Sequence, residues 1–73
     1  MDYLANNIAV NLKSFRQHRG MSLDQIADRT GVSKSMLAQI ERGQANPSIG
    51  VLCKITVGLQ IEFEDLIQTP KVT

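Results

Sequence analysis

Few residues of this chain belong to types that do covalent chemistry. Cys53 is its single cysteine, which can close no internal disulfide and build no cysteine zinc site. His18 is its single histidine and has no second ligand type nearby, so a helix-end role fits it better than a metal. Glu62, Glu64 and Asp65 lie together, but at the start of a helical pattern, where acids suit the helix dipole and face water. No glycine-rich phosphate loop is present. These residues point away from an enzyme, a metal centre or a bound cofactor.

The chemistry that remains is that of charge and hydrogen bonds. Lys13, Arg16, Arg19, Arg29, Lys34, Arg42 and Lys54 stand against Asp24, Asp28 and Glu41, so residues 13–54 carry a net +4. Asp2 on one side, and the C-terminal acids against Lys71 on the other, bring the whole chain to +1. A basic middle between acidic ends suits a polyanionic partner. Aromatics make up 4% with no Trp, which argues against a platform that stacks single-stranded bases.

The elements that position these residues must fit into 73 residues with 42% apolar content. That is one small domain, and a chain of this size buries only about 60% of its unfolded surface. An enclosed substrate pocket has no room. No apolar run approaches the roughly 20 residues of a membrane span, the N-terminus is not of signal-peptide type, and a fold without a disulfide suits a reducing cytoplasm.

Apolar spacing predicts five short helices and no strand. The first carries Ile8, Leu12 and Phe15 on one stripe and stops near Gly20. The second starts at Ser22, where Ser22-Leu23-Asp24-Gln25 reads as a capping box. It buries Leu23, Ile26 and Ala27 and ends at Gly31. The third starts at Ser33, buries Leu37 and Ile40 and ends at Gly43. Ser48 caps the fourth, with Leu52, Ile55, Thr56 and Leu59 inward and Gly50 weakening its first turn. The fifth runs from about Glu62 to Gln68 and ends at Thr69-Pro70. Cys53 is expected part-buried.

Ser22 to Gly43 is the informative stretch. Two helices of eight to ten residues flank the turn Thr30-Gly31-Val32-Ser33. Ala27 lets them approach, Gly31 can take positive φ, and Val32 fills the corner. These are the physical parts of a helix-turn-helix, and a plain αα-corner shares several of them.

The run from Arg16 through Arg19-Gly20-Met21-Ser22-Leu23-Asp24-Gln25-Ile26-Ala27-Asp28-Arg29-Thr30-Gly31-Val32-Ser33 resembles the Cro/phage-repressor-type (XRE-like) helix-turn-helix family. So do Leu37…Ile40-Glu41-Arg42-Gly43…Asn46-Pro47-Ser48 and Leu52…Ile55…Leu59…Ile61…Leu66. The resemblance covers about residues 6–68. It implies an all-α, five-helix, lambda-repressor-like domain over residues 1–73, with the helix-turn-helix at about 22–43 and a tail at about 69–73. It implies sequence-specific binding of double-stranded DNA by a transcriptional regulator, as a homodimer on a near-palindromic site in the cytoplasm. If the natural chain continues beyond Thr73, a C-terminal sensor domain is expected there.

By matching positions, the third helix enters the major groove and Lys34, Ser35, Met36, Ala38 and Gln39 face the bases. Lys34 can donate to guanine and Gln39 can pair with adenine, while Met36 and Ala38 offer apolar contact to a thymine methyl. Met36 also suits a packing role. Ser22, Arg42, Gln44 and Asn46 take the phosphate-contacting positions, with help from Arg19 and Lys13 on the first helix. Arg16 and Glu41 match a part-buried ion pair that ties the first helix to the third.

Several positions depart from the pattern, Gly50 and Thr56, which replaces a common Ala, among them. Leu23 stands where some relatives contact phosphate. Gln60 stands where Gly or Asn commonly closes the fourth helix. Gly58 falls two residues earlier, so an irregular helix end is expected. A second reading keeps the fold but replaces DNA by a protein partner; the apolar Met36 and Ala38 favour it.

Overall fold

Each helix begins and ends at a residue with a specific local role. The computed structural model describes residues 3–70. In it α1 spans Tyr3–His18, α2 Leu23–Thr30, α3 Lys34–Glu41, α4 Ile49–Leu59 and α5 Phe63–Ile67. No strand occurs among the described residues. Residues 71–73 of the expected tail, and the flanking charges Asp2 and Lys71, lie outside the described residues.

Three serines start three helices. Ser22, Ser33 and Ser48 have extended backbones, and their hydroxyls accept from the N–H of Gln25, Met36 and Val51 respectively. Each satisfies a donor that the first helical turn leaves without an intrahelical partner. At Ser22 the box is complete, because the Gln25 Oε1 accepts from the Ser22 N–H at 2.8 Å. α5 opens differently: the Asp65 carboxylate accepts from the Glu62 N–H at 3.0 Å.

The end of α4 is regular, against the expectation of an irregular one. Gln60 takes the left-handed conformation at φ 55°. Its N–H reaches the Val57 carbonyl, and the Ile61 N–H reaches the Thr56 carbonyl. That is the closing motif glycine normally provides. The Arg19 guanidinium donates to the Leu59 carbonyl, so one of the last carbonyls of this helix finds a cation.

Gly58 serves a different purpose. A Cβ placed there would lie 2.5 Å from the Arg29 carbonyl oxygen and 2.8 Å from the Thr30 Cα. Both are backbone atoms and cannot swing aside. α4 therefore rests directly on the end of α2, and only glycine permits that approach.

Leu12, Ile26, Leu37, Ile40, Ile55, Leu59 and Leu66 are fully buried, one or two from each helix. Ile8, Val32 and Leu52 complete the core. α1 packs on α3 and α5, and α2 packs on α3 and α4. Ile26, Leu37 and Ile40 therefore pin both helices of the helix-turn-helix to the same core.

Two burial expectations need correction. Phe15 is only half-buried, with the Arg19 guanidinium 5.9 Å from its ring centre. The inward face of α1 carries Ile8, Ala9, Asn11 and Leu12 instead, because α5 docks there. The Asn11 amide donates to the carbonyls of Leu66 at 2.7 Å and Gln68 at 2.8 Å. Asn7, one turn earlier, donates to Ile67 at 3.2 Å. Two asparagines thus satisfy the last carbonyls of α5, and apolar periodicity has no signal for them. Cys53 is exposed rather than part-buried, because the α4 stripe of Leu52, Ile55, Thr56 and Leu59 turns it outward.

Candidate nucleic-acid interface

The turn between α2 and α3 sets the geometry of the interface. Gly31 sits at φ 76° and its N–H bonds the Ala27 carbonyl. A residue with a Cβ is disfavoured in that conformation. Val32 follows, 6% exposed, and fills the corner from inside. Thr30 is buried beneath the turn: its hydroxyl donates to the Ile26 carbonyl at 2.8 Å and accepts from the Val32 N–H at 3.1 Å. Thr30 is also what Gly58 presses against. The turn is held by hydrogen bonds on one side and by α4 on the other.

The frame divides the side chains of α3. Leu37 and Ile40 point into the core. Lys34, Ser35 and Gln39 are exposed, so three of the five expected base-facing residues share the outer surface of the helix, two of them at its N-terminal end. Met36 and Ala38 are half-buried, and Met36 packs against the core cluster. Their apolar surface is divided between the interior and the edge of the face.

The phosphate candidates flank this surface. Ser22 is exposed at the start of α2, but its hydroxyl is engaged in the cap at 3.1 Å from the Gln25 nitrogen. The first-turn amides of Leu23 and Asp24 lack intrahelical acceptors by construction. Arg42, Gln44 and Asn46 are exposed in the loop after α3, and the Arg42 Nε donates to the Gln44 Oε1 at 3.1 Å. Leu23, the expected missing contact, packs half-buried on the core. Arg19 is turned to α4, so it does not stand beside the others, while Lys13 is exposed on α1.

Arg16 and Glu41 meet as expected. The Arg16 Nε donates to one Glu41 oxygen at 2.8 Å and its second guanidinium nitrogen to the other at 3.0 Å. A third contact reaches the Met21 carbonyl at 3.3 Å. The side chains are 20% and 8% exposed. The paired carboxylate raises the pKa of Arg16, chiefly through its hydrogen bonds, against the opposing effect of burial. Planar, two-pronged contact of this kind fixes orientation as well as distance. It locks α1 to the end of α3, one residue before Arg42.

A second ion pair crosses the turn. Lys34 Nζ lies 3.3 Å from the Asp24 carboxylate, with side chains 60% and 72% exposed. Among the described residues no cluster of His, Cys, Asp and Glu can hold a metal, and no helix is long and apolar enough to cross a membrane.

Two short helices held across a left-handed glycine, with polar side chains outward on the second, match known proteins. Residues 12–66 fit the Helix-turn-helix family model HTH_3. The chain belongs to that family. It is similar to the HTH-type transcriptional regulator SutR of Escherichia coli K12, at 45% identity over 97% of this chain and 40% of SutR. It is similar to SinR of Bacillus subtilis at 39% identity, over 82% of this chain and 55% of SinR. The structure of an HTH_3 family transcriptional regulator from Vibrio cholerae superposes with a TM-score of 0.83 at 49% identity, covering 86% of this chain and 35% of that one. The chain therefore spans about a third to just over a half of the curated regulators it matches.

Proposed function

We propose that this helix-turn-helix domain binds double-stranded DNA and reads its sequence with α3, as the DNA-binding part of a transcriptional regulator. One observation carries the reading: Lys34, Ser35 and Gln39 stand exposed on the outer face of a helix whose inner face is fixed in the core. Lys34 can donate to guanine O6 and N7, Gln39 can pair with adenine, and Ser35 can serve either. Met36 and Ala38 contribute apolar edges. Around them Ser22 with its neighbouring amides, Arg42, Gln44 and Asn46 contact phosphate and set the register. The relatives' designation as transcriptional regulators supports the same reading.

The domain acts as a symmetric dimer on two half-sites about 34 Å apart, the spacing of one helical turn of DNA. Exposed Val57 on α4 and Phe63 on α5 support a contact between copies there. It works in the cytoplasm as a transcriptional regulator. The unmatched length of the relatives leaves room for a C-terminal sensor domain in the full protein. It is not an enzyme.

Selection from a random duplex library tests the proposal. The expected result is an enriched, near-palindromic motif whose binding falls steeply with salt, by about 0.9 log units per log unit of salt for each phosphate neutralised. Lys34→Ala and Gln39→Ala should each relax preference at one base position. No enriched motif, with both variants binding like the parent, would falsify the reading. DNA-independent chemical shifts confined to α4 and α5 with a protein partner would favour the interaction-module alternative.

A further inference from the structure

We infer that Asp24 is a specificity-determining residue of the DNA-binding face, acting as a removable counterion to Lys34; the inference rests on the DNA reading above. Its carboxylate lies 3.3 Å from the Lys34 ammonium. In the free domain Lys34 therefore contributes less charge to an arbitrary duplex than an unpaired lysine would. Where the correct base edge is present, guanine O6 and N7 replace the carboxylate and the ammonium moves to them.

Lys34 has no local reason to stand where it does. It is the first residue of α3, and no acid accompanies it in that first turn. The N-terminal end of a helix carries partial positive charge and disfavours a cation. Asp24 is in the opposite situation: it lies in the first turn of α2, where the dipole favours an anion. The carboxylate is thus favourably placed whether or not Lys34 is with it. The cation needs the anion more than the anion needs the cation, which is the asymmetry a releasable partner requires.

The exposure of the pair allows the exchange. Both side chains are more than half exposed and one N–O contact joins them. A single solvated contact gives way to a competing acceptor, whereas the two-pronged and enclosed Arg16–Glu41 pair does not. Of the three carboxylates between residues 13 and 54, Glu41 is held by Arg16 and Asp28 lies one turn farther along α2. Asp24 alone meets a candidate base-reading cation among the ion pairs of the described residues.

Non-specific affinity comes from neutralised phosphates, so an acid on the contact face lowers it directly. The specific site recovers part of that loss because a base acceptor takes up the released ammonium. The quantity that improves is the ratio of specific to non-specific binding, which governs selection among a large excess of wrong sites.

The test measures binding of the 73-residue chain to the duplex enriched by selection and to a scrambled duplex of equal composition, across a salt series. Asp24→Asn should tighten scrambled-duplex binding about fivefold, steepen its salt slope by about 0.9, and tighten specific binding about twofold or less. In a Lys34→Gln background the same change should have less than half that logarithmic effect. Asp24→Glu keeps the charge and should keep the parent's ratio. An unchanged ratio in Asp24→Asn, an equal effect with and without Lys34, or an Asp24→Glu ratio like that of Asp24→Asn each overturns the role of Asp24 while leaving DNA binding intact. A parent that enriches no duplex instead removes the DNA reading itself.

Discussion

The two ion pairs of this domain use the same kinds of charge and behave oppositely. Arg16 and Glu41 join α1 to α3 through two short contacts, with the carboxylate 8% exposed. Asp24 and Lys34 join α2 to α3 through one contact at 3.3 Å, with both groups mostly in water. Breaking an enclosed pair leaves a charge without its partner and without full hydration, at a cost of about 3–5 kcal/mol. An exposed pair is worth about 0–1 kcal/mol. The first therefore belongs to the architecture, and the second is weak enough to be exchanged for another partner. Charge alone does not distinguish them; enclosure does.

The sharpest way to break the comparison is Arg16→Ala. It should cost about 3 kcal/mol, the lower end of that range because Arg16 retains some solvent contact. In a domain of this size that lowers the melting temperature by more than about 10 °C. A loss below about 2 °C would place both pairs in the same class. Because the paired carboxylate raises the Arg16 pKa, its contribution is complete below the ordinary guanidinium range. It is lost only as pH rises through the higher folded-state value. Melting between about pH 6 and 10 should therefore show no titration attributable to Arg16.

Gly58→Ala should rank next. The added methyl meets backbone of Arg29 and Thr30, and overpacking of this kind costs about 1–3 kcal/mol. Chemical shifts should move at Thr30 to Val32 as α2 is pushed from α4, so the helix-turn-helix frame is affected from beneath. A melting curve and a spectrum identical to the parent's would show that α4 does not support the turn.

Gln60→Gly should change stability in the other direction. It removes a left-handed non-glycine residue, a conformation that costs about 1–2 kcal/mol, and returns part of that to unfolded-state entropy. A rise of about 0.5 kcal/mol in denaturant unfolding is expected; a fall would mean that the Gln60 side chain contributes to the helix end.

The smallest effect on stability should come from Lys34→Gln, below about 0.5 kcal/mol, although the same change alters DNA binding most directly. A loss comparable to that of Arg16→Ala would show that the exposed pair is structural.

Much of the fold was legible from residue types at short spacing. The serine caps at Ser22, Ser33 and Ser48, the left-handed Gly31 and the plug at Val32 are local devices, and each occurs where its local pattern places it. The Arg16–Glu41 contact spans 25 positions and was accessible only through the family resemblance. The exposed positions of Lys34, Ser35 and Gln39 follow from helical spacing against Leu37 and Ile40. Thr30, Asn7 and Asn11 were missed because a polar residue in a helix carries no periodic signal. Their partners are carbonyls supplied by a turn or by the distant end of α5.

By itself the sequence determined which segments are helices, where α2, α3 and α4 start, and that a net +4 is concentrated between residues 13 and 54. These follow from the few residues around each point: a cap, a glycine, an apolar stripe. The tertiary structure alone decided what each isolated residue is for. Gly58 reads as the sign of an irregular helix end until α2 is laid against it, and Arg19 reads as a phosphate contact until the Leu59 carbonyl arrives beside it. Asp24 reads as an ordinary first-turn acid until the turn at Gly31 brings α3 back across α2 and places Lys34 on its carboxylate. Local propensity is set by neighbours in the chain, but the value of a charge or a missing Cβ is set by what packs against it.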